Sequence, residues 1–267
     1  MLTSTSSFNP LPAHPTVLAI AASGAGSSLC LKLGVAHPTL FHWESTALNQ
    51  QSEQLLPAIQ DLLRQAGIQK PDVIAVDTGP GAFTSVRMAV AVAQGLALGW
   101  ACPAVVVCSL HALAQGVVEN LRPEPAPKSV PKSIAAVLDA RMGECYAAVY
   151  THQHGVVTES APPQLVSYAD FAGWACDTHS ADHWVGNGAA VIPDWEQAPV
   201  QYSNAQPTAA DVLAVFQAQH AAGSLVLLGP EALQPVYVRN TVAYTSAERA
   251  GQAQRVAMAL TAQAACV

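Results

Sequence analysis

Charge, paired cysteines and long apolar runs are all scarce in this sequence, and each shortage removes a class of function. Four lysines and seven arginines face 18 acidic side chains, which leaves a net charge of −7. Affinity for duplex or tRNA rests on neutralising phosphates, so a chain this acidic is not expected to grip nucleic acid alone. The six cysteines (Cys30, Cys102, Cys108, Cys145, Cys176, Cys266) form no C-x-x-C pair. Several sit in apolar runs such as VVVCSL, where cysteine acts as a small core residue, and they read as reduced thiols of a cytoplasmic protein. No segment reaches the ~20 apolar residues that span a bilayer. The opening MLTSTSSFNPLPAHP lacks a basic start and a continuous apolar stretch, so residues 1–14 read as a disordered lead-in rather than a signal or anchor.

The usual catalytic signatures are thin as well. Neither G-x-G-x-x-G nor Gly-Lys-Ser/Thr is present. No G-x-S-x-G elbow surrounds any serine, which gives a serine hydrolase little support. His179 and His183 have i, i+4 spacing but no H-E-x-x-H and no third ligand, and read as two surface histidines in a loop. No metal site is expected.

What is present is a regular alternation of elements. TVLAIA (16–21), SLCLKL (28–33) and TLFHW (39–43) are short apolar strands, the first two joined through SGAGS as a hairpin. Leu55, Leu56, Ile59, Leu62, Leu63 and Ala66 then fall on one helical stripe, closed by Gly67. VIAVD (73–77) is a buried strand, followed by a loop and a helix to about Gly99, and AVVVCS (104–109) reads as another central strand. Three strands, helix, strand, helix is half of a ribonuclease-H-like unit. Beyond a proline-rich loop (121–133), the strands IAAVLDA and CYAAVY flank RMGE as a tight hairpin. VGNGAAV, a helix over 208–221 and a strand LVLL (225–228) follow, and T-S-A-E at 245 opens an alanine-rich tail helix.

The stretch DTGPGAFTSVRMAVAVAQGLA (77–97) carries the most information. Gly79-Pro80-Gly81 fits a type II turn with positive φ at Gly81, and Thr84 or Ser85 is placed to cap the next helix. Unpaired amides at such a start favour an anion. The helix beyond is apolar almost all round, with only Arg87 and Gln94 marking a polar edge, so both its sides need covering. The sheet covers one; the other needs the preceding helix or a second protein. The first strand ends Ala21-Ala22-Ser23 without the carboxylate that metal-assisted phosphoryl transfer requires. Asp139, Arg141 and Glu144 in LDARMGECY are set to pair with one another across the hairpin.

Taken together, these motifs resemble one family. DTGPGAFTSVRMAVAVAQGLALG is similar to the D-x-G-P-G-S-F-T-G-x-R signature of the TsaB (YeaZ) proteins, and LDARMGECYAAVY to their A-x-D-A-R-x-G-E-V-Y hairpin. VGNGA resembles their G-x-G segment and LQPVYVRNTVA their P-x-Y-L-R ending; all four occur in the family's order. The resemblance implies an α/β, actin-like or sugar-kinase-like (ASKHA) fold of two ribonuclease-H-like lobes, with mixed central sheets and flanking helices. The lobes would span 15–106 and 107–244, with the tail at 245–267. It also implies a non-catalytic subunit that supports the TsaD transferase in making threonylcarbamoyladenosine beside the tRNA anticodon. TsaC would supply the threonylcarbamoyl adenylate and a TsaE ATPase would join the complex. Contact with tRNA would be indirect, and ATP, ADP and metal would belong to the partner subunits, with no cofactor on this chain.

The resemblance places the TsaD contact on the helices over 52–66 and 84–99, through Leu55, Leu56, Ile59, Leu63, Met88, Val92 and Leu96. The same surface would serve a homodimer of the chain alone. The motif loop (Gly79, Pro80, Gly81, Phe83, Thr84, Arg87) is the candidate anion or nucleotide contact, and Asp139, Arg141, Gly143 and Glu144 form the motif hairpin. The chain departs from the family pattern at Ala21-Ala22, where Asp-Thr is usual, at Gln51 for a histidine, and at Ser85 for a glycine. TsaD itself would carry H-x-x-x-H on the helix before the loop, and residues 50–59 contain no histidine. The alternative is an actin-fold ATPase or carbamoyltransferase, or a glycoprotease-like peptidase.

Overall fold

The computed structural model describes residues 8–34, 39–45, 51–119, 131–153 and 156–239. The first half of the lead-in, the proline-rich loop through Val130 and the tail from Thr245 lie outside the described residues.

Strands β1 (Val17–Ala21), β2 (Ser27–Lys32), β3 (Leu40–Ser45), β4 (Val73–Asp77) and β5 (Ala104–Val107) form one mixed sheet in the order β3-β2-β1-β4-β5. The β1–β2 and β2–β3 pairs are antiparallel, and β1–β4 and β4–β5 are parallel. The second sheet is built from β6 (Ser133–Asp139), β7 (Glu144–Gln153), β8 (Val156–Ser167), β9 (His183–Gly186) and β10 (Val200–Ser203). Its order β8-β7-β6-β9-β10 and its strand directions repeat those of the first. This doubled ribonuclease-H-like plan is the ASKHA-like fold.

Strand alternation sorts the core into layers. Leu18, Ile20, Ile74 and Val76 point to one face of the first sheet, under α1 (Gln51–Ala66) and α2 (Phe83–Trp100). Val17, Ala19, Ala21, Val73 and Ala75 point to the other face. There they meet Val212, Val215 and Phe216 of a helix at Ala209–Ala221. The second sheet packs Ile134, Ala136 and Leu138 against Leu110, Leu113 and Val117 of α3 (Ser109–Val118). Its far face is closed by a short helix, α4 (Phe171–Gly173), which continues into a π turn at Trp174–Thr178. Trp184 meets both Phe171 and Trp195 edge-on there, with Phe171–Trp184 ring centres 5.0 Å apart, while Phe171 and Trp195 stack. The helix at Ala209–Ala221, now α5, packs on α3, so these two helices fill the space between the sheets.

Several expectations need correction. The lobe boundary after residue 106 does not hold, because α5 packs on the first sheet and residues 233–237 lie along α2. LVLL is not a strand: only Leu228 pairs, with Ala104, before Gly229-Pro230 ends the ladder. Strand β5 is an edge strand rather than a central one, with Val106 partly exposed. His183 is buried in β9, its Nδ1 2.8 Å from Asp182 Oδ1, so it is not a surface histidine. Gly67 ends α1 as expected, at φ 67° and with Ile68 N–H donating to Leu63 O. Among the described residues, no helix is long and apolar enough to cross a membrane.

The face of α1 also differs from the expected stripe. Leu55, Ile59 and Leu63 are buried against the sheet, whereas Leu56, one residue round, is 45% exposed. Leu55→Ala should therefore cost about 2–5 kcal/mol from the cavity it leaves. Leu56→Ala should change stability by less than about 0.5 kcal/mol. Urea unfolding of both variants distinguishes the two faces, and equal losses would refute the assignment.

Candidate functional site

The loop after β4 is organised by one carboxylate. Asp77 is completely buried at the strand's end. Its Oδ1 accepts from Ser109 Oγ at 2.5 Å and from Gly79 N–H at 3.0 Å, and its Oδ2 accepts from Ser23 N–H at 3.2 Å. The end of β1, the loop and the first turn of α3 are thus tied to a single side chain. Burial pushes the Asp77 carboxyl above the ordinary aspartate range, while the donors from Ser109, Ser23 and Gly79 oppose that shift.

The turn itself differs from the type II geometry. The Gly79–Pro80 peptide is cis, and positive φ falls on Gly79 (94°) rather than on Gly81. Gly81 is required for a different reason: a Cβ there would lie 2.4 Å from Ser23 O. Neither Thr84 nor Ser85 caps α2. The cap position is Ala82, without a side-chain bond, and its own N–H donates to Ser23 O at 2.9 Å.

Four motifs that are distant in the sequence meet around this loop. Thr78 O accepts from Val236 N–H at 2.8 Å, which lays the segment 235–239 beside the start of α2. Arg87 Nε donates to Tyr237 Oη at 2.7 Å, and Gln94 Nε2 to Leu233 O at 2.8 Å. At the other end of that segment, Arg239 pairs with Glu144 at 2.8 Å and donates to Ala140 O at 3.2 Å, which fastens it to the β6–β7 hairpin. Asn187 Oδ1, from the G-x-G segment, accepts from Asp139 N–H at 2.8 Å.

The hairpin pairing is only half as expected. Arg141 pairs with Asp139 at 3.3 Å, but Glu144 turns to Arg239. Tyr168 Oη donates to Asp139 as well, at 2.5 Å. Arg141, Met142 and Gly143 are all left-handed, at φ 64°, 60° and 82°, and of the three only glycine adopts this without strain.

A cavity of about 620 Å³ opens at this junction. Pro80, Gly81, Phe83 and Arg87 of the expected loop line it, with Tyr146 of β7 and the segment 235–239. Thr84 does not line it, and the hairpin contributes through Glu144's hold on Arg239. Ser109 and Tyr168 had no signal in the sequence, since their roles follow from pairings across the fold, whereas Asn187 and Tyr237 were visible only as members of the G-x-G segment and the P-x-Y-L-R ending. Arg239 was visible only as the last residue of the P-x-Y-L-R ending. Among the described residues, no group of three or more His, Cys, Asp or Glu could hold a metal ion. Burial pushes the thiols of Cys30 and Cys145 up to about 12 and that of Cys102 to about 11, which keeps them protonated at neutral pH.

The expected helix surface divides in two. Leu55, Ile59 and Leu63 belong to the lobe's own core and cannot meet a partner in this fold. Leu56 is exposed, and Met88, Val92 and Leu96 are half-buried. The outward face of α2 is Ala91, Gly95, Leu98 and Gly99, none of which stood among the expected contact residues; Leu98 is 72% exposed.

Comparison with known proteins finds relatives over most of the chain. The family model of TsaD, tRNA N6-adenosine threonylcarbamoyltransferase, matches residues 45–261. The tRNA threonylcarbamoyladenosine biosynthesis protein TsaB of Escherichia coli K12 is 30% identical over 203 residues, covering 73% of this chain and 83% of that protein. The TsaB of Haemophilus influenzae is 32% identical over 138 residues, covering 49% of this chain and 52% of that protein. Among solved structures, YeaZ from Pseudomonas aeruginosa superposes with a TM-score of 0.68 at 30% identity, covering 83% of this chain and 99% of that one.

Replacing Ser109 should expose the dependence on Asp77. Ser109→Ala removes a hydrogen bond to a buried carboxyl and should cost about 1–3 kcal/mol. It also raises the Asp77 value further, so the folded state retains the proton over a wider range and loses stability as pH rises through it. The loss measured by urea unfolding should therefore be larger at pH 7.5 than at pH 4.5. A loss that shrinks with rising pH contradicts this account.

Proposed function

Since the chain belongs to the TsaB (YeaZ) family, we propose that it serves tRNA threonylcarbamoyladenosine biosynthesis as a non-catalytic subunit that binds and supports a TsaD-type transferase. In this reading it acts in the cytoplasm, a TsaE-type ATPase joins the pair, and tRNA is met only through the complex. Nucleotide and metal chemistry belong to the other subunits.

The outward face of α2 carries the proposal. This helix of 18 residues has one charged side chain, Arg87. A Cβ at Gly95 or Gly99 would meet nothing within 4 Å, so no contact within the described chain calls for a glycine at either position. Glycine inside an exposed helix costs about 1 kcal/mol relative to alanine. With Ala91 they form a small-residue strip beside Leu98, open to another helix at close range. Leu56 of α1 is a further exposed apolar side chain of the first lobe. The absence of a carboxylate at the end of β1, where the sequence is Ala21-Ala22-Ser23, supports a supporting rather than a phosphoryl-transferring role.

Ala91→Glu and Leu98→Glu place a charge on this face without touching the core. Each should weaken co-purification with the TsaD-type transferase by about 30-fold or more, the scale of losing an interface hot spot. Unfolding midpoints should stay within about 0.5 kcal/mol of the wild type. Wild-type affinity in both variants would sink the proposed interface.

A further inference from the structure

The cavity between the lobes holds an arginine that is already oriented and, among the described residues, has no acid paired with it. Arg87 Cζ lies 3.7 Å from the centre of the Phe83 ring and 5.4 Å from that of Tyr237, and its Nε donates to the Tyr237 hydroxyl. Among the described residues, Arg64 pairs with Asp61, Arg141 with Asp139 and Arg239 with Glu144, but no carboxylate pairs with Arg87. The two Nη groups form an edge suited to a planar anion with two oxygens. The two rings hold that fork in place, so little side-chain freedom is lost on binding.

The rim says what kind of ligand fits. Phe83 and Tyr237 are 49% and 51% exposed, and Val236 is exposed beside them. Phe, Tyr and Arg are residue types enriched where proteins bind proteins, and Tyr and Arg are frequent hot spots there. An apolar cavity opens beneath this rim, walled by Pro80, Val86 and Tyr146. We infer that it docks a segment of a partner protein in which a large apolar side chain neighbours an aspartate or glutamate. The apolar side chain fills the cavity, and the carboxylate accepts from the Arg87 fork. The chain's net charge of −7 repels an acidic segment in general, so a single oriented cation fixes where one can land. This site lies at the first turn of α2, whereas the transferase face centres on the last turns, and the inference does not rest on the transferase reading.

A ¹⁵N NMR titration of the full chain tests this with the peptide Ac-Glu-Phe-Glu-NH2, compared with Ac-Gln-Phe-Gln-NH2 and with phenyl phosphate. Saturable shifts are expected at residues 83–88 and 235–239. The amide peptide should bind about tenfold more weakly or worse, as should the acidic peptide to Arg87→Gln, from loss of the charge-assisted pair. Arg87→Lys, which keeps the charge without the fork, should also weaken binding. The comparison of the two peptides on the unaltered chain decides the matter even if a variant folds poorly. Absence of saturable shifts, shifts confined to other surfaces, or equal affinity for both peptides overturns the proposal. Binding of phenyl phosphate that depends on Arg87, without binding of the peptide, also overturns it and marks a small-anion site.

Discussion

A carboxylate sealed from water must collect hydrogen-bond donors or give up its charge, and Asp77 collects them from three separate parts of the chain. Ser23 closes β1, Gly79 opens the loop and Ser109 starts α3. Fixing these three points fixes the direction in which α2 leaves the first sheet and α3 enters the space between the sheets. The arrangement has the outline of a nucleotide-fold phosphate turn. Here the end of β1 supplies Ala21-Ala22-Ser23, and the turn's main chain is engaged with its own scaffold: Gly79 O accepts from Ser109 N–H and Ser23 O from Ala82 N–H. The turn acts as a joint.

From that joint a second connection crosses the molecule. The segment 233–239 is held to α2 through Gln94 and Arg87, to the loop through Thr78, and to the second lobe through Glu144 and the carbonyl of Ala140. It spans the two ribonuclease-H-like units and walls the cavity between them. The polar edge of α2, two residues seven apart on an otherwise apolar helix, is the edge that holds this segment. Of the three sides of α2, the sheet takes one and the segment takes another. The third, with Ala91, Gly95 and Leu98, is left facing outward.

The two proposed interactions use opposite ends of this helix. At its last turns the surface is small and apolar, which suits the close packing of another helix. At its first turn an aromatic-clamped guanidinium suits a specific anion. The joint at Asp77 sets the relation between these two surfaces.

Much of the architecture was legible along the chain, because it depends on neighbours in sequence. Short apolar runs marked seven of the ten strands, the 3.6-residue stripe marked α1, and Gly67 marked its end. The ordered motifs identified the family and with it the doubled lobe. What could not be read were pairings between distant segments. Leu55 and Leu56 are chemically identical, and only the packing of α1 on the sheet decides that one is core and the other surface. LVLL has every local property of a strand, yet pairing at Leu228 alone leaves it without a ladder. Glu144 had an arginine three residues away and chose Arg239 instead, because a left-handed hairpin points Arg141 outward and brings the segment 235–239 within reach. Local chemistry determined the elements and the family. Three-dimensional closure decided which apolar face stays outside and where the cavity lies, since both depend on residues brought together from opposite ends of the fold.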